Sequence, residues 1–285
     1  MTAATTDSLL LAALLLGILL LVVPTVTRRL CRRLGLIKPN FRGDSIPSSV
    51  GLTYLLTAAP VYGLLLLSPV LRRDAALYLM VVVSFGALGL ADDLWGSRAV
   101  GGFRGHLRSL FALRPTTGAW KLVGGGMVAL IASAALHAPL APHFAVLFPL
   151  VCDALLIALG ANALNLLDLR PGRAQFGFAL LFFFPLLTVC VNQDGRISLL
   201  LVVALAAARE WRADSRAQAM MGDTGSNLLG AAAGLTAALI LPVWGRLLLL
   251  VLLIALNLAA ERVSLSRVIA GNVWLNSLDR RLGVR

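Results

Sequence analysis

Acidic side chains are scarce in this chain: 13 Asp and Glu stand against 25 Lys and Arg in 285 residues, a formal net charge of +12. Cysteine is scarcer, with only Cys31, Cys152 and Cys190, far apart in sequence. That odd number at that spacing excludes a disulfide framework and a cysteine-ligated metal, and leaves the three as small buried hydrophobes. The leader Met1 to Asp7 has no Lys or Arg, and Arg28, Arg29, Arg32 and Arg33 follow the first apolar run. This is not the pattern of a good cleavable signal and reads as a stop-transfer anchor with its N-terminus outside. Internal repeats and low-complexity segments are absent, apart from the apolar runs themselves.

What the chain has is apolar sequence. Hydrophobic residues make up 59% and mean hydropathy is +0.88, values of an all-α, polytopic integral membrane bundle. One integral domain is expected over residues 1–285, with no separate soluble module. Nine hydrophobic segments follow, at 8–26, 49–70, 75–93, 118–138, 144–164, 174–191, 197–210, 225–244 and 246–262. Short connections leave a helical bundle as the spanning architecture. With the N-terminus outside, only Arg72, Arg73, Arg196 and Arg246 fall in outer loops and every other Lys and Arg falls inside, which fixes the orientation. The basic residues therefore predict anionic membrane lipids as partners rather than nucleic acid. Segment 197–210 is the weakest, about 21 Å long against a ~30 Å core; were it not to span, Asp223 would lie opposite Asp168. Residues 263–285 predict an amphipathic tail, an interfacial helix on the cytoplasmic surface carrying Leu265, Val268, Leu275, Leu278 and Leu282 and interrupted at Gly271.

An Asp at the centre of a membrane helix costs about 2.5–3.5 kcal/mol on insertion scales, so the few acids single out candidate sites. Three signatures stand beside apolar segments: Gly89-Leu90-Ala91-Asp92-Asp93, Asn162-Ala163-Leu164-Asn165-Leu166-Leu167-Asp168, and Met221-Gly222-Asp223-Thr224-Gly225-Ser226. In the expected orientation all three reach the cytoplasmic face. Asp92 and Asp93 project about 100° apart, so they need not serve the same atom; a solvated helix end is the plain alternative. Asn162, Asn165 and Asp168 form one slowly drifting stripe, suited to sugar hydroxyls, phosphate or a base edge, or else to helix capping and interhelical bonding. Gly222 to Ser226 opens a helix, where backbone N–H groups meet phosphate and Asp223 a metal, or where an ordinary N-cap turn sits. Carboxylates, amides and a glycine-rich turn at one membrane face suit a divalent metal and a phosphorylated substrate. Lys121, Arg98, Arg104, Arg108, Arg114, Arg170 and Arg173 supply positive charge nearby, with His106 in the same loop. His137 and His143 fall at the outer interface, and Asp153 is an intramembrane acid with no partner evident in the sequence.

The order of these motifs resembles the polyprenyl-phosphate N-acetylhexosamine-1-phosphate transferases over about Lys38 to Glu261. That family includes the phospho-MurNAc-pentapeptide translocase and the bacterial GlcNAc-1-phosphate transferases. Asp92-Asp93 is similar to its Asp-Asp motif, Lys121 to the lysine opening the next helix, Asn162 to Asp168 to its Asn-rich motif, Met221 to Ser226 to its Met-Gly-Asp-x-Gly-Ser motif, and Lys38 to Gly51 to its first cytoplasmic loop. The resemblance implies transfer of a sugar-1-phosphate, most simply GlcNAc-1-phosphate, from a UDP-sugar to undecaprenyl phosphate, with UMP released and Mg²⁺, or Mn²⁺ in its place, required. It implies Asp223 with Asp168 as metal ligands and Asp92, Asp93 and Asp168 as catalytic carboxylates. Asn162, Asn165, Lys121, Gly222 and Arg173 would bind substrate. The family's His-rich C-terminal loop is absent: Glu261 to Arg267 contains no His. The phospho-MurNAc-pentapeptide donor is the alternative with the same chemistry, and a cation- or proton-coupled transporter or a catalytically silent scaffold are the alternatives of other classes. A homodimer is one assembly open to such a bundle.

Overall fold

A computed structural model describes residues 3–96, 117–138, 144–192 and 194–284. Each of the nine hydrophobic segments carries a helix. These are α1 (Ala3–Arg33), α2 (Leu52–Leu65), α3 (Arg72–Trp95), α4 (Thr117–His137), α5 (Phe144–Leu167), α6 (Arg173–Asn192), α7 (Ile197–Ser215), α8 (Gly222–Ile240) and α9 (Val243–Arg262). The tail forms two short helices, α10 (Leu265–Gly271) and α11 (Val273–Leu282), rather than one. The break falls at Asn272, whose side-chain oxygen caps α11 by accepting from the amides of Trp274 and Leu275 at 3.0 Å each. One departure from all-helical structure is an antiparallel ribbon between α1 and α2, β1 (Ile37–Pro39) with β2 (Ser45–Pro47), pairing Lys38 with Ile46.

Five helices among the described residues are long and apolar enough to cross a membrane: Thr6–Arg33, Arg72–Trp95, Thr117–His137, Val146–Leu167 and Val243–Arg262. The protein is membrane-embedded. Leucines and valines along α1, α5 and α9 are exposed, as on Leu14, Leu21, Leu147, Val251 and Leu258, which water would penalise and lipid does not. Helix α8 is different. All but three of its 19 residues are buried, and it packs most extensively on α5 and α3. Its hydropathy is lowered by glycine, alanine, serine and threonine because it meets other helices rather than lipid. Small residues there let backbones approach: a Cβ on Gly230 would lie 2.2 Å from the carbonyl oxygen of Gly160 in α5.

Helix α7 runs to Ser215, well past the expected end at 210, and its 19 residues give it about 28 Å. The added turn is polar but satisfied. Buried Glu210 pairs with Arg28 of α1 at 2.6 Å and accepts from Thr53 of α2 at 3.3 Å. Buried Asp214 accepts from the amide of Gly172 at 2.7 Å. Tyr62 of α2 donates to the Leu199 carbonyl at 2.6 Å, and Gln175 of α6 reaches Tyr54 and the Ala207 carbonyl. Asp153 also has partners: Arg246 at the start of α9 at 2.9 Å, and His137 at the end of α4 at 3.0 Å. His137, the last residue of α4, is thus tied into the bundle through Asp153. His143 lies outside the described residues.

Because the Gly160–Gly230 approach leaves no room for a methyl group, Gly230→Ala is expected to cost about 2 kcal/mol or more, despite alanine's better helix propensity. A melting temperature in detergent equal to that of the wild type would contradict the close seam.

Candidate active site

The three acidic signatures and Lys121 meet at one end of the bundle. Asp92 and Asp93 lie in the last turn of α3, Lys121 in the second turn of α4, Asn165 in the last turn of α5 with Asp168 just after it, and Gly222 and Asp223 begin α8. Chain direction explains the meeting: α3 and α5 arrive at this end, α4 and α8 depart from it.

Asp93 organises the cluster. Its Oδ1 accepts from the Asp223 amide at 3.0 Å; its Oδ2 accepts from the Thr224 amide at 3.1 Å and the Thr224 hydroxyl at 2.7 Å. It thereby caps α8 from another helix, since α8 has no side-chain cap of its own. The unpaired amides and the positive end of the helix dipole both favour a carboxylate there. Gly222 makes the approach possible. Its φ is +72°, and a Cβ would lie 2.5 Å from the Ser48 carbonyl oxygen and 2.7 Å from Asp93 Oδ2, so a side chain would suffer both strain and collision.

Capping turns the Asp223 carboxylate toward Lys121. The Lys121 ammonium donates to Asp223 Oδ2 and lies 3.6 Å from Asp92 Oδ2. Asn165 donates to the same Asp223 oxygen at 3.2 Å. One ammonium therefore serves two carboxylates from different helices, with Asp93 and Asp168 close behind. Asp168 lies just beyond α5. Burial, then the negative charges of Asp214, Asp223 and Asp93, hold its carboxyl well above the ordinary carboxylate range, against a hydrogen bond from the Gly222 amide.

Of these groups Asp93, Asp168, Gly222 and Asp223 line a cavity of about 400 Å³, together with Lys38, Phe41, Ser48, Arg170 and Asp214, whereas Asp92, Lys121 and Asn165 are not part of its lining. The β1–β2 ribbon forms one wall. It is held by strand-like exchange, with the Met220 amide donating to Pro47 and the Val50 and Gly51 amides donating to Met220 and Met221. Lys38 Nζ reaches the Asp93 carbonyl at 3.4 Å. The buried Ser48 hydroxyl on this wall has no hydrogen-bond partner among the described residues, a donor left for a bound polar group.

Two expected substrate-binding residues face elsewhere. Asn162 donates to Asn257 of α9 at 2.5 Å, because the turn between it and Asn165 carries it round to the α9 side of α5. Arg173 is buried in a pair with Asp279 of the tail, which lies nearer than the cavity. Arg98, Arg104, Arg108, Arg114 and His106 lie outside the described residues. Conversely, Ser48, Phe41 and Asp214 border the cavity without having been singled out. Phe41 and Ser48 fall in the Lys38–Gly51 loop already noted, and Asp214 gave a signal of its own as an acid among Arg209, Arg212 and Arg216.

For a divalent ion the donor set is sparse. Among the described residues no three His, Cys, Asp or Glu side chains are grouped to hold a metal, and Lys121 already sits between Asp92 and Asp223. One or two carboxylates completed by water and substrate phosphates is nonetheless the usual protein share of a Mg²⁺ site, and this cluster can supply that many. No protein-family model matches the chain, and no curated protein matches it.

The Asp168 shift has a definite sign. A carboxyl whose folded value is raised holds a proton that the unfolded chain, titrating near 4, has released. Stability is therefore lost as pH rises from about 4 through the folded value. Asp168→Asn is expected to raise the melting temperature at pH 7 and to leave it nearly unchanged near pH 4. Identical pH profiles for variant and wild type would contradict the assignment.

Proposed function

We propose that this protein is a membrane transferase that moves an N-acetylhexosamine-1-phosphate, most simply GlcNAc-1-phosphate, from a UDP-sugar to a polyprenyl phosphate and releases UMP. The observation that carries the reading is the Lys121 ammonium held between Asp92 and Asp223, beside Asn165, with Asp223 also lining a polar cavity in an apolar bundle. A lipid acceptor arrives through the bilayer and a nucleotide donor from water, so their reaction needs such a cluster at the membrane face. In this reading nine helices span, the cluster faces the cytoplasm, and α10 and α11 lie on the same surface. Val273 and Trp274 of the tail, both more than 80% exposed, suit a headgroup interface.

The chemistry is a displacement at phosphorus. An oxygen of the lipid phosphate bonds to the β-phosphorus of the donor. The bond from that phosphorus to the oxygen bridging toward the α-phosphate breaks, and UMP leaves with that oxygen and its electron pair. Such a step chiefly needs positioning and charge neutralisation. Lys121 and Arg170 offer positive charge to the diphosphate, and Asn165 and Ser48 offer hydrogen bonds. Asp92 orients or deprotonates the lipid phosphate, while Asp93 holds the start of α8 in place. Asp223 and Asp168 are the carboxylates that would hold Mg²⁺, or Mn²⁺, which neutralises diphosphate charge when bound. The intramembrane Asp153, paired with Arg246 at the start of α9 and hydrogen-bonded to His137 at the end of α4, stands apart from this cluster.

Asp223→Ala and Lys121→Ala are each expected to reduce lipid-dependent UMP release by about 100-fold or more while leaving a folded, monodisperse protein. Release within a few-fold of wild type in either variant would remove that residue from the chemistry.

A further inference from the structure

The tail has no part in the transfer step, yet it is fastened to the cavity from behind. Arg173, at the start of α6, donates through Nε and Nη2 to the two oxygens of Asp279 in α11 at 2.5 and 2.9 Å, and through Nη1 to Ser266 of α10 at 2.8 Å. Both members of the ion pair are only 8% exposed. A guanidinium bound at two oxygens is fixed in plane as well as in position. Beyond it, the Leu282 carbonyl seats against Gly172, Gly283 lies against the Pro171 and Ser215 carbonyls, and the Val284 amide donates to Ser215 at 2.8 Å.

The end of α11 thus touches the connection from α5 to α6, and the residues after it, Gly283 and Val284, touch the end of α7 where the connection to α8 begins. The Gly172–Asp214 hydrogen bond joins the same two segments. Their other faces form a wall of the cavity: Asp168, Leu169, Arg170 and Pro171 from the first, Asp214, Ala217 and Ala219 from the second. The segment after α7 is also held by the β1–β2 ribbon through Met220, whereas residues 168–172 have no such strand-like partner among the described residues, so their placement depends on what packs behind them.

We infer that Asp279 is a positioning residue: through Arg173 it clamps residues 168–172, and with them Asp168 and Arg170, against the start of α8, so that the amphipathic tail sets the geometry of the donor cavity. The role given to that cavity rests on the transferase reading; the clamp does not.

Hydrogen exchange on the full-length protein in nanodiscs, paired with binding of UDP, separates the two. In Asp279→Asn, amides in 168–173 and 213–221 should exchange about tenfold faster or more, with exchange in the α5–α8 seam unchanged, and the Kd for UDP should rise about fivefold or more. The charge-swapped pair Arg173→Asp with Asp279→Arg should recover both readouts in part. If Asp279→Asn does not fold, Ser266→Ala, which removes one partner of Arg173, should produce the same changes at smaller size. Unchanged exchange in 168–173 in a folded variant overturns the clamp. Faster exchange with unaltered UDP affinity overturns the positioning role and leaves the tail as a brace only. Wild-type protein that binds no UDP counts against the transferase reading, while the exchange result still decides the clamp.

Discussion

Asp93 accepting three hydrogen bonds from the first residues of α8 is the contact on which the site depends. Helix α8 is buried from Thr224 to Ala238 and has no side-chain cap of its own, so its first amides need a partner from elsewhere in the bundle. A carboxylate from α3 does so, which fixes α3 and α8 end to end and turns the Asp223 side chain outward to Lys121. Lys121 then draws in Asp92, and Asn165 completes the set from α5. Remove the cap and the four helix ends lose their common reference.

That cap is available because α8 sits at the centre of the bundle, and α8 sits there because its residues are small. Gly230 against Gly160 brings α5 and α8 to backbone contact, which places the ends of α5, Asn165 and Asp168, beside the start of α8. The cost is electrostatic: Asp93, Asp168, Asp214 and Asp223 crowd one cavity with few cations among them. A site that holds its carboxylates in mutual repulsion gains from a cationic or hydrogen-bonding ligand, and the Ser48 hydroxyl on the cavity wall, without a hydrogen-bond partner among the described residues, has the same implication.

Much of this was legible in the sequence. Acids are so few that Asp92, Asp93, Asp168 and Asp223 stood out, and apolar periodicity located every helix to which they belong. Hydropathy understated α7: the charges of Glu210 and Asp214 read as a helix end, whereas Arg28 and Gly172 satisfy them inside the fold. For α8 it gave 225–244 where the helix runs Gly222–Ile240, because Gly222 and Asp223 open the helix under the Asp93 cap. What the sequence could not disclose were pairings set by tertiary packing. Arg173 finds Asp279 more than 100 residues away, Asp153 finds Arg246, and Asn162 turns to Asn257. A spacing of three residues puts Asn162 and Asn165 near one stripe, but the drift of that stripe sends one amide to α9 and the other to the cluster.

The most direct measurement is the mass of the lipid product formed by purified protein given undecaprenyl phosphate, Mg²⁺ and UDP-GlcNAc. A lipid diphosphate bearing one N-acetylhexosamine, formed in step with UMP, is the expected result. Folded protein that yields neither this product nor its counterpart from UDP-MurNAc-pentapeptide would contradict the account.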